Sequence, residues 1–253
     1  MSALPDAAPP DGDMTFAGEW RDALTHLPSL RQLRTVSSID RHGSLSGAAR
    51  ALNRSQSAVS KALSELEANL GVPLFERFSH GVQPTAHGEL LLGRIREAEV
   101  QFDLAARAHR AALRRPPGVR HNPVFTMEIS VKRLLAFLAV HETCDVRQAA
   151  ASGGVTVSAV YDSLRSMEGL LEVPLFESGS RGLGSTPFGD ALAMHVRLAL
   201  SLIRHGIDEI RSIDGTVRGR LVIGTLPYSH TLIVPRAIHS VLLAISECAS
   251  STL

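Results

Sequence analysis

Apolar side chains in this chain fall into blocks at helical spacing, separated by short turn signals. Leu30, Leu33, Val36 and Ile39 line one face of the Ser29–His42 stretch, with Arg31, Arg34 and Arg41 on the others, which predicts an amphipathic helix. Gly43 stops that helix and Ser44 caps a short, Ala-rich one over Leu45–Leu52. Asn53-Arg54 makes a tight turn, and Ser55 is a good N-cap for a third helix running to about Leu70. In that helix Val59, Leu63, Leu66 and Leu70 form the buried stripe, and Gln56, Ser57, Ser60, Lys61 and Ser64 are left outside. Val72–Phe75 and then Glu76–Thr85, with Arg77, His80 and Gly81, read as a β-wing with a basic tip. Beyond it Leu91, Ile95, Ala98, Phe102 and Ala105 alternate at the spacing of a coiled-coil seam.

The whole pattern then repeats. A shift of 101 positions lays Ser29–Gly88 over Ser130–Gly189 without a gap, and about a third of the positions are identical. Ala48-Ala49 falls on Ala149-Ala150, Ser57-Ala58-Val59 on Ser158-Ala159-Val160, and Val72–Glu76 on Val173–Glu177. The seam recurs as Leu192, Val196, Ala199, Ile203, Gly206, Ile210 and Ile213. A unit of this length is a small domain used twice rather than a solenoid repeat.

Helix, short helix, tight turn, then a helix with small polar residues at its exposed start is the plan of a helix-turn-helix. Glutamine pairs bidentately with adenine, serines reach bases or phosphates at short range, and lysine meets phosphate. The candidate DNA contacts are therefore Arg54, Ser55, Gln56, Ser57, Ser60 and Lys61, with Arg77 and His80 from the wing. The combination of Ala48-Ala49, Ser55–Ser60, Leu66-Glu67, Gly71–Arg77, Thr85 and Gly88 resembles the N-terminal domain of LysR-type bacterial transcription regulators. The resemblance implies a winged helix-turn-helix, a long dimerising helix, and behind them a two-lobed ligand-sensing domain. Gly219–Gly224 and Ile233-Val234-Pro235 look like the opening of that last domain. It needs more residues than remain before Leu253, so no competent small-molecule switch is expected.

Charge separates the two copies although the whole chain carries only +1. Ser29–Gly88 holds seven basic against four acidic side chains, whereas Ser130–Gly189 holds five against six. The first copy is thus the candidate for a polyanion. In the second, Val157 replaces Gln56, Tyr161 replaces Ser60, Asp162 replaces Lys61, Gly153-Gly154 replaces the Asn53-Arg54 turn, and Ser178 replaces Arg77. The second copy is expected to keep the fold and to read DNA weakly or not at all, since Asp162 repels phosphate.

The expected fold is mainly α. A disordered tail over 1–26 precedes winged helix-turn-helix 1 over 27–88, linker helix 1 over 89–113 and a Pro/Arg-rich joint over 114–127. Winged helix-turn-helix 2 over 128–189, linker helix 2 over 190–214 and a strand-helix fragment of an α/β effector domain over 218–253 complete it. Leu91, Ile95, Ala98 and Phe102, with Leu192, Val196, Ala199 and Ile203, are the pairing residues, joining either two chains or the two copies of one chain. Double-stranded DNA is the expected partner, together with a homo-oligomer (dimer or tetramer) formed through the linker helices. A heterodimerising module without its own switch is the alternative. Two cysteines and no run of about 18 apolar residues fit a cytoplasmic chain without a membrane span. No metal, cofactor or catalytic motif is recognisable, so an enzyme is not expected. His141 and Cys144 share a helix but read as a helix-end histidine and a small buried thiol.

Overall fold

The computed structural model describes residues 27–79, 81–113, 122–179 and 182–213. Helices α1 (Leu30–His42), α2 (Leu45–Ala51) and α3 (Gln56–Leu70) lead into an antiparallel wing, β1 (Phe75–Phe78) with β2 (Gly81–Pro84), and a long helix α4 (Ala86–Ala112). The order recurs as α5 (Val131–Thr143), α6 (Val146–Gly153), α7 (Val157–Leu171), β3 (Phe176–Gly179), β4 (Gly182–Ser185) and α8 (Pro187–Ile213). The fold is mainly α with two winged helix-turn-helix units. The tail over 1–26, Arg114–His121 and the strand-helix fragment over 218–253 lie outside the described residues.

The residues shared by the two copies are largely those that build each unit. Glu67 accepts the backbone N–H of Leu74 at 2.8 Å, and Glu168 accepts that of Leu175 at 2.8 Å. Thr85 donates to the Pro73 carbonyl at 2.7 Å and accepts the Gly88 N–H at 3.0 Å, capping α4. Thr186 repeats both bonds, to Pro174 at 2.9 Å and from Gly189 at 3.0 Å. These bonds tie the wing to the helices on either side and leave few buried polar groups without a partner.

The joint between the copies is packed from Asn122 onward. Val124, Met127 and Ile129 are buried. Asn122 donates to the Leu170 carbonyl at 2.8 Å, and Arg31 donates to the Glu128 carbonyl at 3.0 Å while Arg34 pairs with the Glu128 carboxylate. His109, near the end of α4, donates to the Leu171 carbonyl at 2.6 Å and lies 5.1 Å from the Phe125 ring and 5.4 Å from the Phe188 ring. The described part of the joint is therefore core rather than spacer, because its apolar side chains fill the space between the copies.

The most extensive contact in the molecule joins α4 to α8. Leu91, Ile95, Ala98, Phe102, Leu192, Val196, Ala199 and Ile203 are each at most 1% exposed within one chain. Of the two pairings open to these seams, the structure has the one between copies. Arg94 donates from Nε to Glu209 at 3.1 Å, and His195 donates from Nδ1 to Gln101 at 2.9 Å, so the helices run antiparallel. The two equivalent helices of the repeat are thus paired with each other. Gly206 permits the close approach: a Cβ there would sit 3.0 Å from Arg94 Cγ and 3.5 Å from Leu91 Cδ1. The described helices all contribute to one continuous apolar core.

Two measurements test the pairing. Gly206→Leu overpacks it and displaces Arg94, lowering stability by about 1–3 kcal/mol, read as an earlier denaturation midpoint at unchanged slope. Acidification should also loosen it in two windows. Burial holds His195 below its ordinary value of 6.5, so stability falls as the unfolded chain takes up a proton below that pH. Hydrogen bonding to Arg94 holds the Glu209 carboxyl below its ordinary 4.5, so its contribution is complete above that value and lost on further acidification. His195→Gln should flatten the upper window of a melting-temperature profile, and Glu209→Gln the lower.

Candidate nucleic-acid interface

The start of α3 is built to be both rigid and accessible. Ser55 accepts the Ala58 N–H at 3.2 Å and lies 3.0 Å from the Ser57 hydroxyl, so it caps the helix. Its hydroxyl is committed to that cap, and the candidate contact at Ser55 is accordingly a backbone-positioning residue first. Val59, Leu63 and Leu66 anchor the inner face at 2% exposure or less. Gln56 and Ser57 are exposed and Ser60 is half-buried. The Lys61 side chain is 78% exposed, 3.8 Å from the Glu65 carboxylate, a surface pair too weak to hold the lysine back. Arg54 is exposed and donates to Thr35 Oγ1 at 3.2 Å. Arg77 is exposed on β1, and His80 lies outside the described residues. Gln56, Ser57, Ser60 and Lys61 thus share the outer side of one capped helix, with the positive end of its dipole beside them.

Two stretches, residues 30–89 and 131–190, match the family described as bacterial regulatory helix-turn-helix protein, lysR family. Both copies are LysR-family helix-turn-helix domains. The HTH-type transcriptional regulator GalR of Pseudomonas putida is 33% identical over 212 residues, covering 84% of this chain and 51% of that protein. A match of that length takes in parts of both copies. The uncharacterized HTH-type transcriptional regulator y4mQ of Sinorhizobium fredii is 33% identical over 159 residues, 59% of this chain and 52% of its own length. The chain spans about half the length of these curated relatives. The crystal structure of CbnR, a LysR family transcriptional regulator, matches 34% of this chain and 30% of its own at 32% identity, with a TM-score of 0.31.

The second LysR-family domain keeps the geometry and changes the surface. Thr156 caps α7 by accepting the Ala159 N–H at 3.2 Å, as Ser55 does for α3. At the equivalent outer positions Val157 is 38% and Tyr161 44% exposed, and Asp162 stands where Lys61 stands in the first domain. The turn corresponds by one residue differently from the expected replacement. Gly154 at φ 64° takes the place of Asn53 at φ 51°, and Val155 that of Arg54. Both turn residues are left-handed, which Asn and Gly tolerate. Cys144 is exposed rather than buried, because it occupies the left-handed C-cap of α5 at φ 51°. His141 bonds the Asp190 carboxylate at 2.9 Å and so links α5 to α8.

A further exposed basic residue of the first domain was not singled out by helical spacing alone. Arg50 is exposed in the last turn of α2, beside buried Ala48 and Ala49. An arginine directly after a buried alanine pair was the available signal. Because Ser55 is a cap, Ser55→Ala should lower stability by about 1 kcal/mol, measured by chemical denaturation. Ser64→Ala, exposed on the same helix and away from the cap, should leave the midpoint unchanged.

Proposed function

We propose that the chain is a sequence-specific double-stranded DNA-binding transcription regulator of LysR type. Its first domain enters the major groove with the start of α3. The observation that carries this reading is the exposed, capped Gln56–Lys61 face set on a buried apolar anchor. Gln56 pairs with a base edge, Ser57 and Ser60 contact bases or phosphate, and Lys61, Arg54 and Arg50 contact the backbone. Arg77 and His80 in the wing add phosphate contacts. GalR of Pseudomonas putida is named a transcriptional regulator, and the role is carried to this chain on that likeness. The activity is binding rather than catalysis, exercised where the chromosome lies, in the cytoplasm. Among the described residues no helix is long and apolar enough to cross a membrane.

The paired α4 and α8 seams hold the two domains of one chain together. Among the described residues the eight pairing residues are covered within the chain, so they do not favour the heterodimerising alternative.

After sequence selection from random duplex DNA, Gln56→Ala with Lys61→Ala should abolish specific binding in a gel shift. Loss of the bidentate base pair alone weakens it by about 1–3 kcal/mol. Lys61→Ala alone should weaken all sequences alike and reduce the salt slope by about one. A double variant that still prefers the selected to a scrambled duplex by the wild-type factor would refute the reading.

A further inference from the structure

Thr35, like Leu33, Val36 and Ile39, is fully buried in α1. A β-branched residue with a hydroxyl is an unfavourable choice there. It lowers helix propensity, and its oxygen costs stability unless it is bonded. Two bonds satisfy it. The hydroxyl donates to the Arg31 carbonyl at 2.7 Å and accepts from Nη1 of Arg54 at 3.2 Å. A hydroxyl has one proton, so the bond to Arg31 leaves only lone pairs for Arg54. The oxygen is thereby locked as an acceptor for the guanidinium.

The repeat shows that the helix does not require this pair. Under the 101-residue shift Thr35 becomes Ala136 and Arg54 becomes Val155. Ala136 is buried, and α5 forms over 13 residues as α1 does. Both members are thus replaced together. Ser37 and its acceptor Glu99, bonded at 2.8 Å, are likewise replaced jointly, by Leu138 and Leu200. The replacements follow the bonds, since losing one member alone leaves a polar group unpaired.

The kind of partner given to Arg54 separates it from its neighbours. Arg41, Arg94 and Arg96 are paired with the carboxylates of Glu99, Glu209 and Asp40. Arg54 is exposed, makes no ion pair among the described residues, and is bonded to a neutral hydroxyl. A carboxylate would hold the guanidinium and also cancel its charge in front of a phosphate. A hydroxyl fixes one N–H and leaves the charge intact. A long, mobile side chain then loses freedom in the free protein instead of on binding, which favours the complex. Arg54 directly precedes Ser55, the cap of α3, so the guanidinium is held at the start of that helix.

We propose that Thr35, itself too deeply buried to reach DNA, is a positioning residue for binding. Its hydroxyl presents the Arg54 guanidinium, at the start of α3, to a phosphate of the duplex. This rests on the reading that the first domain holds DNA through that face. The second domain, with Ala136 and Val155, lacks the device.

Affinities of the full chain for its selected duplex, arranged as a double-variant cycle, test this. Thr35→Val should weaken binding about fivefold, the order of one such hydrogen bond. Arg54→Ala should weaken it about tenfold and lower the salt slope by about one. Added to Arg54→Ala, Thr35→Val should have no further effect. Thr35→Ser, which keeps the hydroxyl, should bind like wild type. Denaturation midpoints show whether each variant folds; should Thr35→Val not fold, Thr35→Ala, the second domain's own residue, takes its place in the cycle. The proposal fails if the loss of the hydroxyl weakens binding by the same factor with and without Arg54. It fails equally if Arg54→Ala leaves affinity and salt slope unchanged. A chain that selects no duplex at all overturns the proposed function, and this role of Thr35 with it.

Discussion

The apolar seam between α4 and α8 is the contact on which the arrangement of everything else rests. Leu91, Ile95, Phe102, Leu192, Val196, Ile203, Ile207 and Ile210 are each no more than 2% exposed along it. Burying a side chain of this size contributes about 1.5–3 kcal/mol, so the seam far outweighs the few surface ion pairs around it. Which partner such a helix takes is then a matter of concentration. A short tether holds a second site at millimolar effective concentration, so a separate chain at micromolar level is outcompeted about a thousandfold. Association between free chains also loses translational and rotational freedom that the tethered pair has largely given up already. Duplication within one chain therefore fixes the copy-to-copy pairing, and buried His109 and Met127, with half-buried Asn122, lock it from the joint side.

Within that frame, two pressures act on different residues of the same repeat. Glu67 and Glu168, Thr85 and Thr186, and Leu74 and Leu175 are identical because each makes the same buried bond or fills the same gap in both units. Replacing any of them leaves a buried donor unsatisfied or a cavity in the core. Gln56, Ser60 and Lys61 carry no such structural duty, since their side chains point away from the core. Val157, Tyr161 and Asp162 could replace them without disturbing α7, which is still capped by Thr156 and still anchored by buried Val160, Leu164 and Met167. The divergence is confined to the surface because only there is it cheap in stability.

This split also explains which features were legible in the sequence. Helical spacing of Leu30, Leu33, Val36 and Ile39, the capping serines and the left-handed Gly43 all act locally, and the elements follow from them. The outward side of α3 was readable for the same reason, as whatever the buried stripe left over. Ser55 shows the limit, since a hydroxyl that caps a helix and one that reaches a ligand are the same letter. Long-range facts were less accessible. That the two seams close on each other depends on Gly206 meeting Arg94, residues far apart in the chain. The packing of Val124 and Met127 was hidden because a Pro-rich neighbourhood looks like spacer. Cys144 was misread because a small apolar thiol usually sits inside, whereas a helix ending in a left-handed turn turns it outward.

Two copies with unequal outer faces differ from a symmetric pair. A symmetric pair of recognition helices on a palindrome has no direction, because rotating the protein about its twofold reproduces the same contacts. Here the repeat supplies two equivalent helices, but their outer side chains differ. A polar, basic face on α3 and an apolar, acid-bearing face on α7 make the two orientations on a duplex unequal in free energy. Under the proposed function, a base contact at Gln56 and repulsion of phosphate at Asp162 favour the same orientation, and a good base contact separates the two by about 1–3 kcal/mol.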